Sequence, residues 1–569
     1  MKTNCWNRKR RSHRAGEAGQ ATLFILLALG MFLVGALCFA FDLSNMWFHR
    51  QAAQTAADAA CAAGAMDILV DAQGGATGHQ GFILGTNFNC TTVSTGSVCK
   101  YAAKNGYDSN NAAPGNLVSV SFPTTAANGA PPGVPIPPAA LAGAFPFIRV
   151  DVVDHVQTFF LGLLSGSTSK DVRAFSTCGV ALVKSPIPIV ILNTKASGTL
   201  GGNGTPTIRI LGGATQSIQV NSDSLTAVSW PGTLDLSRGG PNFTGSDLGT
   251  YGGPSTPTGT FLPGTTGAWR YPSSPISDPF AQVPAPAVPP IPLVPIPGLT
   301  AANSSGCTTS ASIQAGTCKV TYLTHGCPDP SAIIPSNGCQ LFTEGYYPSG
   351  ITVKNDVGIF DPGLYYLNGG LGLLANSLVR PGTGTGSGSQ GTIFYLTGST
   401  QTCSGQTGLV CVGANSGKAG IDPFTTSGVQ CAGGPAPDPM LMLPATLSGN
   451  VLLAPCTGTY GDPLGQYRGI LFFADRSSAN GGGWGGGGGF LLAGSMYFHQ
   501  CNAAGTGTGC GAPPTDYNQT FQLQGSSGSA SYVLGEIVAD KMSGGGTPDV
   551  NMALNPNAAY NILKASIFQ

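Results

Sequence analysis

The stretch "RQAAQTAADAACAAGA" occupies residues 50–65 and follows directly on a long apolar run. More than half of it is alanine, and its only acid is Asp58. Alanine is the strongest helix former but brings little surface with which to build a core. From Asp42 to Asp67 there is no proline, and the only glycine is Gly64. A continuous helix is therefore expected from about Gln20 to Asp67, roughly 70 Å at about 1.5 Å per residue. Its outer half is slim, so neighbours can approach closely. It serves either as a stalk that covers its own domain or as a helix that packs laterally with others.

The preceding residues say where that helix starts. Lys2, Arg8, Lys9, Arg10, Arg11 and Arg14 form a basic cluster. Between Glu17 and Asp42 lie 24 uncharged, mostly apolar residues, "AGQATLFILLALGMFLVGALCFAF". As a helix they span roughly 36 Å, enough for a hydrocarbon core of about 30 Å. The basic side stays cytoplasmic, which sends everything after Asp42 across the membrane. A cleaved signal peptide would have a shorter apolar region and a small-x-small exit. A lipoprotein signal would need a small residue before its cysteine, but Leu37 precedes Cys38. A retained single-pass anchor in a bacterial inner membrane is expected.

Composition bounds the rest. Only 9% of the 569 residues are charged, against about a quarter in ordinary domains. Glycine (85) and proline (43) together exceed a fifth of the chain. This favours short β-strands joined by turns. Net charge is zero and no basic face follows the N-terminus, which argues against nucleic acid as a partner.

The basic cluster, the single apolar helix, Asp42 at its outer end, and then Arg50, Gln54, Ala57, Asp58, Ala59, Ala60, Gly64 and Ala65 resemble the N-terminal region of TadG-like Flp pilus-assembly proteins. That family is related in layout to the TadE and TadF pseudopilins. The match covers roughly residues 16–66. It implies helix packing by these residues, and partners among other Tad/Flp pilus-assembly proteins or pseudopilins. Two family features are missing. Cutting after Gly16 or Gly19 would place Ala21 or Phe24 where processed prepilins carry Glu. "DLSNM", "DLSRG" and "DPSAI" all fail the D-x-S-x-S pattern of a von Willebrand A metal site, so no metal and no cofactor is expected.

Residues 68–185 read as a small α/β, pilin-like domain. "AAKNGY" (102–107) is expected as a short helix ending near Gly106. "NLVSVSFP" (116–123) and "FIRVDVVDHV" (147–156) alternate as half-buried strands do. "VQTFFLGLL" (156–164) is expected as a short apolar helix and "KDVRAFSTCGVALV" (170–183) as a closing strand. From 186 to 300 short strands give way to "VPAPAVPPIPLVPIPG" (283–298), which cannot supply the donors of a sheet and reads as a polyproline II spacer. From 301 to 569 apolar strands return, among them "GLYYLNGG", "RGILFFADR" and "LAGSMYFH". A β-solenoid suits them, and the resemblance implies a right-handed β-helix; a β-sandwich is the alternative. The expected fold is α+β, mainly β, in five stretches: 1–17, 18–67, 68–185, 186–300 and 301–569.

Fourteen cysteines, an even number, follow Asp42. Cys90/Cys99, Cys307/Cys318, Cys327/Cys339, Cys403/Cys411 and Cys501/Cys510 are close in sequence, Cys431/Cys456 forms a longer loop, and Cys61 and Cys178 remain. Oxidation outside the cytosol fits these seven pairs, although spacing alone leaves other pairings open.

Catalytic patterns are sparse. The histidines are scattered and no H-E-x-x-H occurs. "VGANSGKAG" (412–420) lacks the first glycine of a phosphate loop. Asp356, Asp361, Asp475 and Arg476 read as turn caps, and Trp484 in "NGGGWGGGGGF" as folding back onto a sheet. The expected function is a non-enzymatic component of a pilus-assembly or secretion system, with an extracytoplasmic β-rich region for assembly or surface contact. The alternatives are a surface adhesin independent of pili, contacting cell-surface carbohydrate or substratum, and a carbohydrate-active β-helix enzyme.

Overall fold

The computed structural model describes residues 14–568 apart from 73–79, 94, 108–115, 126–127, 135, 138–141, 163–165, 185–186, 282, 330–337, 388–390, 404–405, 414, 418–422, 427–428, 430–442, 457, 462–465, 486–488, 503–509, 526–529 and 555–560. The chain divides into two compact units. The first is Met1–Leu182 with Leu563–Gln569, and the second is Val183–Ile562.

The first unit is α+β. It contains α1 (Arg14–Ala72), α2 (Ser97–Lys104) and strands β1 (Phe88–Asn89), β2 (Leu117–Ser121), β3 (Phe147–Gln157), β4 (Ser169–Lys184) and β5 (Asn561–Phe568), ordered β1-β2-β3-β4-β5 in one sheet. The β2/β3 and β3/β4 ladders are antiparallel. Alternation in β3 sends Ile148, Val150 and Val152 into the core with α1 and α2, while Arg149 pairs with Asp151 on the other side at 3.0 Å. The short helix expected at 102–107 lies earlier, at Ser97–Lys104, because Val98, Cys99 and Ala102 form its buried face. The helix expected at 156–164 is not found across its first residues. Instead β3 continues to Gln157, paired with Ser169, and the chain then turns.

The second unit is built from triplets of short parallel strands. Ile189–Ile191, Leu200–Gly202 and Thr207–Gly212 each belong to a different sheet. The next triplet, Gln216–Val220, Val228–Ser229 and Thr233–Gly239, pairs with it strand for strand in parallel. Further strands add on this side up to Trp269–Arg270. On the other side of the first triplet lies the end of the sequence. Ile537–Ala539, Lys541–Gly546 and Asp549–Ala553 pair in parallel with the same three strands. Successively earlier triplets continue from there towards Gly345–Tyr347. The far side is finished by Cys339–Phe342, by antiparallel strands Ser304–Ser305 and Lys319–Val320, and by a helical turn at Ser310–Gln314. Residues from 186–300 and 301–569 thus share the same sheets.

One ladder crosses the whole set. Tyr365, Phe394, Phe472, Met496, Ile537, Ile189, Ile218 and Leu248 are partners in register from strand to strand. All are fully buried in one core. Their neighbours Tyr366, Tyr395, Phe473, Tyr497, Val538 and Val190 form a second ladder on the opposite face of that sheet. A strand apolar on both faces must be covered on both. The second cover comes from the segment after Trp269–Arg270: Phe280 and Val283 are buried in the cluster of this outer ladder.

In that segment, residues 278–298, eight of 21 residues are proline and lack an N–H, so it cannot pair as a regular strand and is held largely through its carbonyls. Arg468 donates to the carbonyl of Pro279 at 2.8 Å, and Arg476 to those of Phe280 and Val283 at 2.6 and 2.8 Å. The N–H of Tyr346 reaches the carbonyl of Pro290 at 2.9 Å. His325 holds the end: its Nε2 lies 3.2 Å from the carbonyl of Pro297 and its Nδ1 2.7 Å from the buried Asp361. A carboxylate at one nitrogen and a carbonyl at the other favour a ring that donates from both. The Asp361 hydrogen bond, against the cost of burial, raises the His325 pKa. The segment is a strap fastened along its length.

Two outcomes follow from the strap. Arg476→Met leaves the carbonyls of Phe280 and Val283 without their donor and should cost about 1–3 kcal/mol, read as a lower urea midpoint. Because the His325 pKa is raised, its contribution is fully present below the ordinary value of 6.5 and is lost as pH rises through the higher folded value. The midpoint difference between wild type and His325→Gln should therefore shrink in alkaline buffer; a difference independent of pH would refute the charged tether.

Candidate assembly interface

Helix α1 changes surroundings at Asp42. From Ala21 to Phe41 every residue is exposed except the half-buried Cys38. The helix from Ala21 to Ala72 reaches a mean hydropathy of 2.7 in its most apolar part, long and apolar enough to cross a membrane. Asp42 is buried. Its carboxylate accepts the backbone N–H groups of Phe159, Phe160 and Leu161 at 3.0, 2.7 and 2.5 Å. Burial pushes this carboxyl up, but the three donors outweigh it and hold the pKa below the usual value. These bonds hold the bend at 159–160 that leads into the helical residues 161–162, so only the later part of the expected helix is found among the described residues. Farther along α1, His49 Nδ1 lies 2.9 Å from Asp154 Oδ2, which also accepts the Tyr107 hydroxyl at 2.7 Å. The sequence reading did not single out this triad, because its members are far apart and only pairing along β3 brings Asp154 beside α1.

The alanine-rich stretch has two faces. Ala53, Ala56, Ala57, Ala60, Cys61, Ala65 and Ile68 are buried in the core of the first unit, at the spacing of one helix stripe. Gly64 joins them: a Cβ there would meet Ile148 Cδ1 at 2.6 Å and Val98 Cγ2 at 3.0 Å. Gln54 Nε2 donates to Asp58 Oδ1 and to the carbonyl of Phe175, both at 3.0 Å. Ala57 and Ala60 are therefore packing residues of their own domain. Arg50, Gln51, Thr55 and Met66 are exposed and Ala59 is half-buried, which leaves the outward face of α1 for any neighbouring helix.

Disulfides fasten both units. Cys61 on α1 is bonded to Cys178 on β4, across 117 residues of sequence, and Cys90 to Cys99. Cys307–Cys318 and Cys327–Cys339 staple the finishing layer, and Cys403–Cys411 and Cys501–Cys510 close short loops. Cys456 is disulfide-bonded; the expected Cys431 lies outside the described residues.

The charged residues weighed for chemistry are engaged in the fold. Asp356 pairs with Lys319 at 2.7 Å, Asp361 with His325, and Asp475 accepts the Thr397 hydroxyl at 2.7 Å. Trp484 is fully buried within a strand. His499, Cys501 and Cys510 bring potential ligand atoms within 4.8 Å of one another. The two sulfurs are joined, so neither is a thiolate that could bind a metal ion, while His499 Nδ1 faces Asp540 at 2.5 Å.

The inward face predicts a contrast. Ala57→Leu overpacks the α1 interface and should cost about 1–3 kcal/mol, whereas Ala59→Leu should stay within about 0.5 kcal/mol. Urea unfolding of the detergent-solubilised chain measures both, and equal midpoints would contradict the assignment of faces.

Comparison with known proteins bears on this helix. Residues 19–67 match the family model described as "Putative Flp pilus-assembly TadE/G-like". No curated protein sequence matches the chain. Among solved structures, the competence-associated pilin ComZ from Thermus thermophilus is similar at 10% identity, covering 81% of this chain and 84% of that one, with a TM-score of 0.19, too loose a likeness to inform the fold. The matched segment takes in the apolar part of α1, Asp42 and the alanine face down to Asp67, so the similarity to TadE/G-like Flp pilus-assembly proteins lies in residues 19–67.

Proposed function

We propose that this chain is a membrane-anchored, non-enzymatic component of an Flp/Tad-type pilus-assembly or secretion system. The observation that carries the reading is the coincidence of the TadE/G-like segment with a helix whose first part is exposed and apolar and whose second part is built into a disulfide-bonded domain. The basic residues before the apolar run favour a cytoplasmic N-terminus in a bacterial inner membrane. The disulfides favour an oxidising compartment for everything after Asp42. A structural role is supported by the engagement of Asp356, Asp361, Asp475 and Arg476 in holding strands and strap.

The second unit we read as a β-solenoid, right-handed and β-helix-like. Its support is strand-for-strand parallel pairing of successive triplets, which the antiparallel sheets of a β-sandwich lack. Such a unit presents a broad, rigid surface for assembly or surface contact. Partners are other pilus-assembly proteins or pseudopilins, met through the outward face of α1.

A pull-down from membranes tests this. Arg50→Glu with Thr55→Trp alters only exposed positions of α1 and should reduce recovery of other pilus-assembly proteins without lowering the unfolding midpoint. Recovery equal to wild type would count against the outward face as the assembly surface.

A further inference from the structure

The bend held by Asp42 carries two aromatic side chains that are largely exposed. Phe159 is 61% exposed and Phe160 40%. Their rings meet that of Phe41, the last residue of the uncharged run, at 6.0 and 6.4 Å between centroids. Asn45 Nδ2 reaches the carbonyl of Gln157 at 3.5 Å, so the turn lies along α1 where the apolar run ends. Elsewhere around the helix Leu43, Trp47 and Phe48 are also exposed. An apolar pair in water would gain from collapsing into the core. Here three hydrogen bonds to one buried carboxylate fix the backbone so that the rings stay outside.

We infer that the Phe159–Phe160 turn is a second membrane contact, seated in the headgroup boundary of the leaflet on the Asp42 side. The inference rests on the proposed membrane anchoring of α1. Its occupant follows from continuity: the rings touch Phe41, and a bilayer that surrounds residues 18–41 reaches the same depth beside them. Exposed Phe and Leu side chains bury at the headgroup–acyl boundary, and Trp47, of a residue type enriched there, adds a contact on another side of the helix. Asp42 is then a positioning residue. A charged group at the edge of hydrocarbon is satisfied by backbone N–H groups of the very turn that enters the boundary. A lone transmembrane helix can tilt and rotate. A second contact beside it sets which side of the first unit rests on the membrane, and so which way the outward face of α1 points.

Tryptophan quenching tests this with the full chain, in a Trp47→Phe background, in phosphatidylcholine–phosphatidylglycerol vesicles brominated near the glycerol end of the acyl chains. Phe32→Trp reports the anchor. Ile83→Trp is the control, since residue 83 is 73% exposed and belongs to the segment whose Gln80 carbonyl accepts from Ser97, beside the Asp67 end of α1. After subtraction of the background, Phe159→Trp and Phe160→Trp should lose emission and shift to the blue, as Phe32→Trp does, while Ile83→Trp keeps both. Quenching of Phe32→Trp with none at 159 and 160 would overturn the second contact and leave the anchor standing. No quenching at position 32 would overturn the anchor and this inference together.

Discussion

The second unit depends on a single register. Ile189, Val190 and Ile191 pair with Ile537, Val538 and Ala539, and the two other strands of the same triplet pair with Lys541–Gly546 and Asp549–Ala553. Early and late parts of the sequence meet there, and the buried ladder of large side chains runs through it without a gap. A one-residue slip would turn every inward side chain outward. The first triplet is thus the middle of the unit, with strands added from it in both directions.

That topology creates a transport problem for the backbone. After Trp269–Arg270 the chain must return to the opposite side to begin the finishing layer at Ser304. Proline suits the return path because a segment repeatedly interrupted by residues without an N–H cannot join the sheet it crosses. It is instead held by side chains that can only donate, Arg468 and Arg476, and by a doubly donating histidine. The same crossing buries the outer aromatic ladder. Its tyrosines and phenylalanines, adjacent in runs such as "ILFF", need cover on both faces.

Legibility in the sequence tracked distance along the chain. The apolar run, the alanine helix and the close cysteine pairs are local patterns, and the structure has each in place. Individual strands were readable too. Their partners were not, since residues such as Ile189 and Ile537 carry no local sign of one another. The proline-rich stretch reads as a spacer because the groups that hold it lie far away in sequence. In α1 alanine lies on both faces, so composition could not tell which side meets the sheet; Cys61 and Gly64 mark it only in retrospect. At 156–157 the apolar run belongs to β3 and at 161–162 to a helix, and the bend between them is held by Asp42, more than a hundred residues earlier.

The placement of β5 has a consequence for biogenesis. The strand Asn561–Phe568 completes a sheet whose other members are finished by residue 184, and the whole second unit is inserted between β4 and β5. One edge of the first triplet likewise waits for Ile537–Ala553. A chain released early would expose open sheet edges in both units, the kind of surface that chaperones and proteases recognise. Both units therefore close only when residues 537–568 have been added to strands formed by residues 147–212.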